Sequence, residues 1–71
     1  MKRFGEKLRV LGKRQKLSIR KLTREFGFKS HSYISRIEAA KLTPSIDFII
    51  RVADRFEVSV DVLVRDELEL D

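Results

Sequence analysis

Residues 18–38 read SIRKLTREFGFKSHSYISRIE, and the fold turns on this stretch. Ser18 stands ahead of Ile19, Leu22 and Phe26, spaced i, i+3, i+7: a helix cap followed by one apolar stripe. Gly27 supplies the left-handed residue on which helices commonly close. After the turn Phe28-Lys29-Ser30, a second short helix is expected from near Ser30 to about Ala40. Its isoleucines, Ile34 and Ile37, face inward, and His31, Ser32, Ser35 and Arg36 fall on the other sides. Two short amphipathic helices joined by a tight turn form a helix-turn-helix. The first turn of the leading helix carries Arg20 and Lys21, the wrong sign for the positive end of the helix dipole. A phosphate at that end would offset the cost.

Outward from this core the periodicity continues. Residues 3–15 place Phe4, Leu8 and Leu11 at helical spacing, with Gly12 inside the pattern either as a local cost or as a mark of close packing. Leu42-Thr43-Pro44 interrupts the chain, because the residue before proline avoids the helical region. Ser45 caps a fourth helix whose apolar face is read as Ile46, Ile49, Ile50, Ala53 and Phe56, leaving Phe48 off that face. Ser59 caps a short fifth helix with Val60, Leu63 and Val64, although Val58, Val60, Val62 and Val64 also alternate as a strand would. The expectation is an all-α, five-helix domain over residues 1–65, with a short acidic tail over 66–71.

Seventy-one residues allow one domain with a modest core. No cysteine is present, so neither disulfides nor a cysteine zinc site can staple it, and one histidine cannot hold a metal alone. Neither a metal nor a cofactor is expected. No apolar run is long enough to span a bilayer, and Met1-Lys2-Arg3 is not followed by a signal-like stretch, so a cytoplasmic protein is expected. The charge is polarised. Residues 1–45 carry +10 and residues 46–71 carry −5, within a total of +5. The basic front suits a polyanion. No Ser-His-Asp set, glycine-rich phosphate loop or ligand cluster is present, which argues against an enzyme. Phe4, Phe26 and Phe56 fall on apolar stripes and Phe28 sits in the turn, leaving no exposed stacking platform for single-stranded RNA.

With these motifs in hand, residues 4 to about 65 resemble the lambda-repressor-like (Cro/repressor, Xre-type) helix-turn-helix family. The resemblance rests on Leu8-Arg9, Leu17-Ser18, the run from Ser32 to Glu38, Lys41 with Pro44-Ser45, and the run from Val58 to Leu63. It implies a five-helix bundle whose third helix enters the major groove of duplex DNA. The chain departs from the family pattern at four places. Ile19 stands where a glutamine is usual, and Gly12 where many members have an arginine paired with the equivalent of Glu38. Ala40 replaces a common glycine, and one extra residue lies between Gly27 and Tyr33.

The resemblance puts His31 and Ser32 at base edges and Arg36 at a third base-reading position, where an arginine can grip guanine bidentately; Ser35 is counted with them as small enough to let the helix approach the groove, its alternative being a plain solvent-facing residue. Lys13, Arg14, Ser18, Arg20, Lys21, Lys29, Tyr33, Lys41 and Thr43 are candidates for phosphates. The function implied is a sequence-specific transcriptional regulator, a repressor acting as a homodimer on a palindromic operator, since one recognition helix reads too few base pairs. The interface must leave the basic face free. Phe48, Val60, Val62, Leu63, Val64, Leu68 and Leu70 are its expected residues. Two alternatives stand beside this reading: an antitoxin or accessory subunit of a two-protein system, and a protein-interaction or coactivator module without specific DNA reading.

Overall fold

A computed structural model describes residues 1–70; Asp71, the end of the acidic tail, lies outside the described residues. Five α-helices follow one another: α1 Phe4–Arg14, α2 Ile19–Glu25, α3 Ser32–Glu38, α4 Ile46–Phe56 and α5 Val60–Val64. The described residues contain no strand, so the valine alternation over 58–64 resolves as helix. None of the helices is long and apolar enough to cross a membrane.

The serine caps act as expected. The hydroxyls of Ser18, Ser45 and Ser59 accept from the backbone N–H of Lys21 (3.2 Å), Phe48 (3.1 Å) and Val62 (3.1 Å), each satisfying one of the free donors of a first turn. Four helices close on a left-handed residue: Lys16, Gly27, Ala40 and Glu57. In each case the next residue's N–H reaches back to a carbonyl in the last turn, as Leu17 N–H does to Gly12 at 2.8 Å and Lys41 N–H to Arg36 at 2.9 Å. Only one of the four is a glycine, so glycine alone marks one helix end in four.

The core centres on Phe48. Its ring meets those of Phe26 (5.4 Å between centroids), Tyr33 (5.3 Å), Phe28 (5.7 Å) and Phe4 (6.2 Å), mostly in edge-on or tilted geometry. This corrects the sequence reading of α4. The buried face is Phe48, Ile49, Val52, Ala53 and Phe56, while Ile46 and Ile50 point to solvent. Both sets satisfy helical spacing. The aromatic hub built by the other helices selects the set that contains Phe48. Leu63 is likewise fully buried. Neither Phe48 nor Leu63 therefore offers a surface to a second copy, and both leave the expected interface.

Two features tie the chain ends to α1. Asp66 accepts from the backbone N–H groups of Lys2 (2.8 Å) and Arg3 (2.9 Å), capping a helix start that has no cap of its own. Arg3 forks onto Glu69 at 2.7 and 2.9 Å and onto Glu6 at 3.0 Å. Lys7, one helical turn on, is 1% exposed. Its ammonium donates to the carbonyls of Val62 (2.7 Å), Arg65 (2.9 Å) and Leu68 (2.7 Å), using all three of its hydrogens. Lys7 stands outside the apolar spacing of Phe4, Leu8 and Leu11. The structure turns it inward as the cap that closes α5 and fixes the tail.

Candidate nucleic-acid interface

α2 and α3 present the basic front of the molecule. On α3, Ile34 and Ile37 are buried, which obliges the opposite side of the same two turns to face solvent. His31, Ser32, Ser35 and Arg36 are all exposed there. Arg36 makes no ion pair among the described residues, so its guanidinium is free for a partner. The start of the helix is built by Ser30, whose hydroxyl accepts from the Ser32 N–H (3.2 Å) and lies 2.6 Å from the Ser32 hydroxyl. The residue added to the turn is thereby absorbed ahead of α3, and the helix begins at Ser32 rather than at Ser30.

Tyr33 fixes the orientation of this helix. Its ring packs against Phe28 (4.9 Å) and Phe48, and its hydroxyl accepts from the Ser45 N–H at 3.3 Å, at the start of α4. The hydroxyl keeps its own hydrogen available for an acceptor. At the other end of α3, Glu38 finds the partner that Gly12 cannot provide. Arg9 on α1 approaches it at 3.5 Å, and the Glu38 side chain is 8% exposed. This pairing neutralises the one carboxylate on α3, and no local pattern in the chain marks Arg9 as the partner. Gly5 makes the approach possible. A Cβ on Gly5 would overlap the Ile37 carbonyl oxygen and stand 2.8 Å from the Glu38 Cα, so α1 and α3 touch backbone to backbone there.

The expected phosphate residues are exposed except Tyr33, which is half-buried, and they sort into groups. Lys13 and Ser18 line a hollow between α1 and α2 with Arg9 and Ile19. Arg20, Lys29 and His31 surround a second hollow of about 260 Å³ floored by Phe28, joined by Arg24. Arg24 was not singled out in the sequence, though its i+4 spacing from Arg20 puts both on one side of α2. Lys41 and Thr43 line a third hollow with Met1 and Lys2, on the far side of α3. Lys21 is exposed in the first turn of α2. Arg14 is the exception. It lies beside Glu57, Ser59, Glu69 and Leu70 and is not brought together with α2 and α3.

The ion pairs divide the cations by function. Arg51 donates to the Phe26 carbonyl at 2.8 Å and covers the Phe26 ring; Arg55 holds Glu25 at 2.8 Å; Arg65 pairs with Asp61 and Glu67 at 3.8 Å. These are all the arginines after residue 41, and each has a structural partner. Among the described residues, every lysine or arginine side chain without a hydrogen bond or ion pair lies at or before Lys41. The free positive charge thus sits on the half of the chain that carries α2 and α3. Such a surface attracts a phosphate backbone, and a projecting helix of small and polar side chains can enter a major groove.

No group of three or more potential metal ligands occurs among the described residues. No curated protein and no solved structure matches the chain. A family model described as helix-turn-helix matches residues 7–63, from Lys7 on α1 to Leu63 on α5. The chain therefore belongs to the Cro/C1-type, Xre-like helix-turn-helix family of DNA-binding regulators.

Proposed function

We propose that the protein is a sequence-specific transcriptional repressor that acts as a homodimer on a palindromic operator in the cytoplasm. The observation that carries this reading is the free face of α3. His31, Ser32, Ser35 and Arg36 stand exposed together, and the surrounding cations lack protein partners. Base edges suit the α3 side chains, and the phosphates flanking them suit Lys13, Ser18, Arg20, Lys21, Lys29, Lys41 and Thr43. Arg24 and Lys2 join that set on position. Arg14 leaves it.

Dimerisation is assigned to α5 and the tail. Val60 and Leu68 are exposed there, and Val62, Val64 and Leu70 are part-buried around them. Two copies joined through this end would keep both basic faces free, and a two-fold axis gives half-sites one DNA turn apart, roughly 34–36 Å. Selection from random duplex DNA followed by sequencing tests the reading. A palindromic consensus is expected. A flat profile that depends on salt alone would refute sequence-specific reading. A consensus without symmetry would refute the dimer.

A further inference from the structure

α4 leaves one face without a partner in the fold. Ile46, Ile50 and Asp54 follow one another at i, i+4 and i+8 along one ridge, with Asp47 beside them on the edge away from the core. Ile46 is 76% exposed and Ile50 46%. Single exposed aliphatic side chains are ordinary. What sets this pair apart is its rim. Asp47, Asp54 and Glu57 make no ion pair and no side-chain hydrogen bond. Every other acidic side chain among the described residues is engaged: Glu6, Glu69 and Asp66 around Arg3, Glu25 with Arg55, Glu38 with Arg9, and Asp61 and Glu67 with Arg65. Of these three free carboxylates, Asp47 and Asp54 border the apolar ridge, and Glu57 follows past the end of α4, on the side of Arg14 and Leu70. The two arginines of α4 are turned elsewhere and held, Arg51 on Phe26 and Arg55 on Glu25 and Gln15.

We propose that this face docks a cationic amphipathic helix of another protein. Apolar side chains of the partner cover Ile46 and Ile50, and its lysines or arginines reach Asp47 and Asp54. Charge complementarity selects this occupant. A second copy of the chain docked by a two-fold axis would set the same patch against itself. The two carboxylate rims would then meet with no free cation on α4 to separate them, and like charges juxtaposed in an interface are costly. DNA is refused by the same carboxylates. The inference is independent of the DNA reading, because it uses none of the residues assigned to bases or phosphates.

The test uses the full chain, isotopically labelled, and a synthetic helical peptide of leucine and lysine in amphipathic order, with its leucine–glutamate counterpart as control. The lysine peptide is expected to shift the amide signals of Ile46, Asp47, Ile50 and Asp54, and the glutamate peptide to shift none. The double substitution Asp47→Lys, Asp54→Lys should weaken binding at least about tenfold, since two surface attractions become repulsions. Both positions are exposed, so the fold survives. Ile50→Glu should weaken binding as well, which a purely electrostatic association would not show. Shifts centred on Glu67 and Glu69, undiminished binding by the double variant, or no binding at all would overturn the proposal. So would a dimer of the free protein that Ile50→Glu dissolves, because the face would then belong to a second copy.

Discussion

The contact between α1 and α3 predicts opposite outcomes for two glycine-to-alanine substitutions in the same helix. A methyl group on Gly5 would overlap the Ile37 carbonyl oxygen and lie 2.8 Å from the Glu38 Cα and 3.0 Å from the Ile37 carbonyl carbon. Carbon atoms in good contact stand about 3.5–4.0 Å apart, so α1 must retreat by roughly 0.7 Å or more. The obstacle is backbone and cannot swing aside. A gap of that size forfeits about a quarter to a half of the dispersion energy across it. Phe4 and Leu8 on α1 and Ile34 and Ile37 on α3 are each at most 1% exposed. At about 1.5–3 kcal/mol for each buried side chain, the loss over the four is about 1.5–6 kcal/mol. Alanine's better helix propensity returns about 1 kcal/mol. Gly5→Ala should therefore destabilise by about 2 kcal/mol, within the usual range for overpacking. For a domain of this size that lowers Tm by roughly 8–16 °C. Gly12 is different. A methyl group there meets the Leu17 carbonyl oxygen at 3.4 Å and Leu22 Cδ1 at 3.5 Å, which is ordinary contact. Gly12→Ala should stabilise by about 0.5–1 kcal/mol. Thermal and urea unfolding followed by circular dichroism measures both. Equal losses for the two variants, or a Gly5→Ala protein as stable as the parent, would refute the backbone-contact argument.

Lys7→Met keeps the apolar stem but takes the donor from three carbonyls, of which only that of Arg65 keeps another, the Leu68 N–H; it should cost about 2–4 kcal/mol in the same unfolding assay, with the tail's amide protons exchanging faster. Ala40 holds a left-handed backbone at φ 60°; Ala40→Gly relieves it and should stabilise by about 1 kcal/mol, read as a raised urea midpoint. The backbone N–H groups of Arg3 and Lys2 hold the Asp66 carboxyl below its ordinary pKa, and the Arg3 guanidinium does the same for Glu69. A lowered folded-state pKa means stability that is complete above the unfolded value, about 4, and lost as pH falls through the folded one. Acid unfolding curves should show that loss below pH about 4, and Asp66→Asn should flatten it. On DNA, Arg36→Ala should lose about 1–3 kcal/mol at one base-pair position in the selected consensus. Lys21→Ala should weaken all sequences alike and reduce the salt slope by about 0.9; loss at a single position instead would reassign it to a base.

The sequence by itself determined the helices and their order. Ser18, Ser45 and Ser59 cap the helices that follow them because a cap acts on an N–H within three residues of itself. The stripes of α1, α2 and α3, and the exposure of His31, Ser32, Ser35 and Arg36, follow from a period that is a property of one helix alone. Tertiary structure decided what depends on neighbours. α4 carries two apolar stripes of acceptable spacing, and only the rings of Phe4, Phe26, Phe28 and Tyr33 turn Phe48 inward and Ile46 and Ile50 outward. Lys7 looks like a surface cation until α5 and the tail bring it three carbonyls. Gly5 carries no signal until α3 lies across it. Partners such as Arg9 with Glu38, 29 residues apart, are chosen by packing and not by any local preference. Local rules name the elements, because hydrogen bonding along a helix spans four residues. The choice of buried face, cap donors and ion pairs belongs to contacts between segments far apart in the chain, which exist only once the bundle has formed.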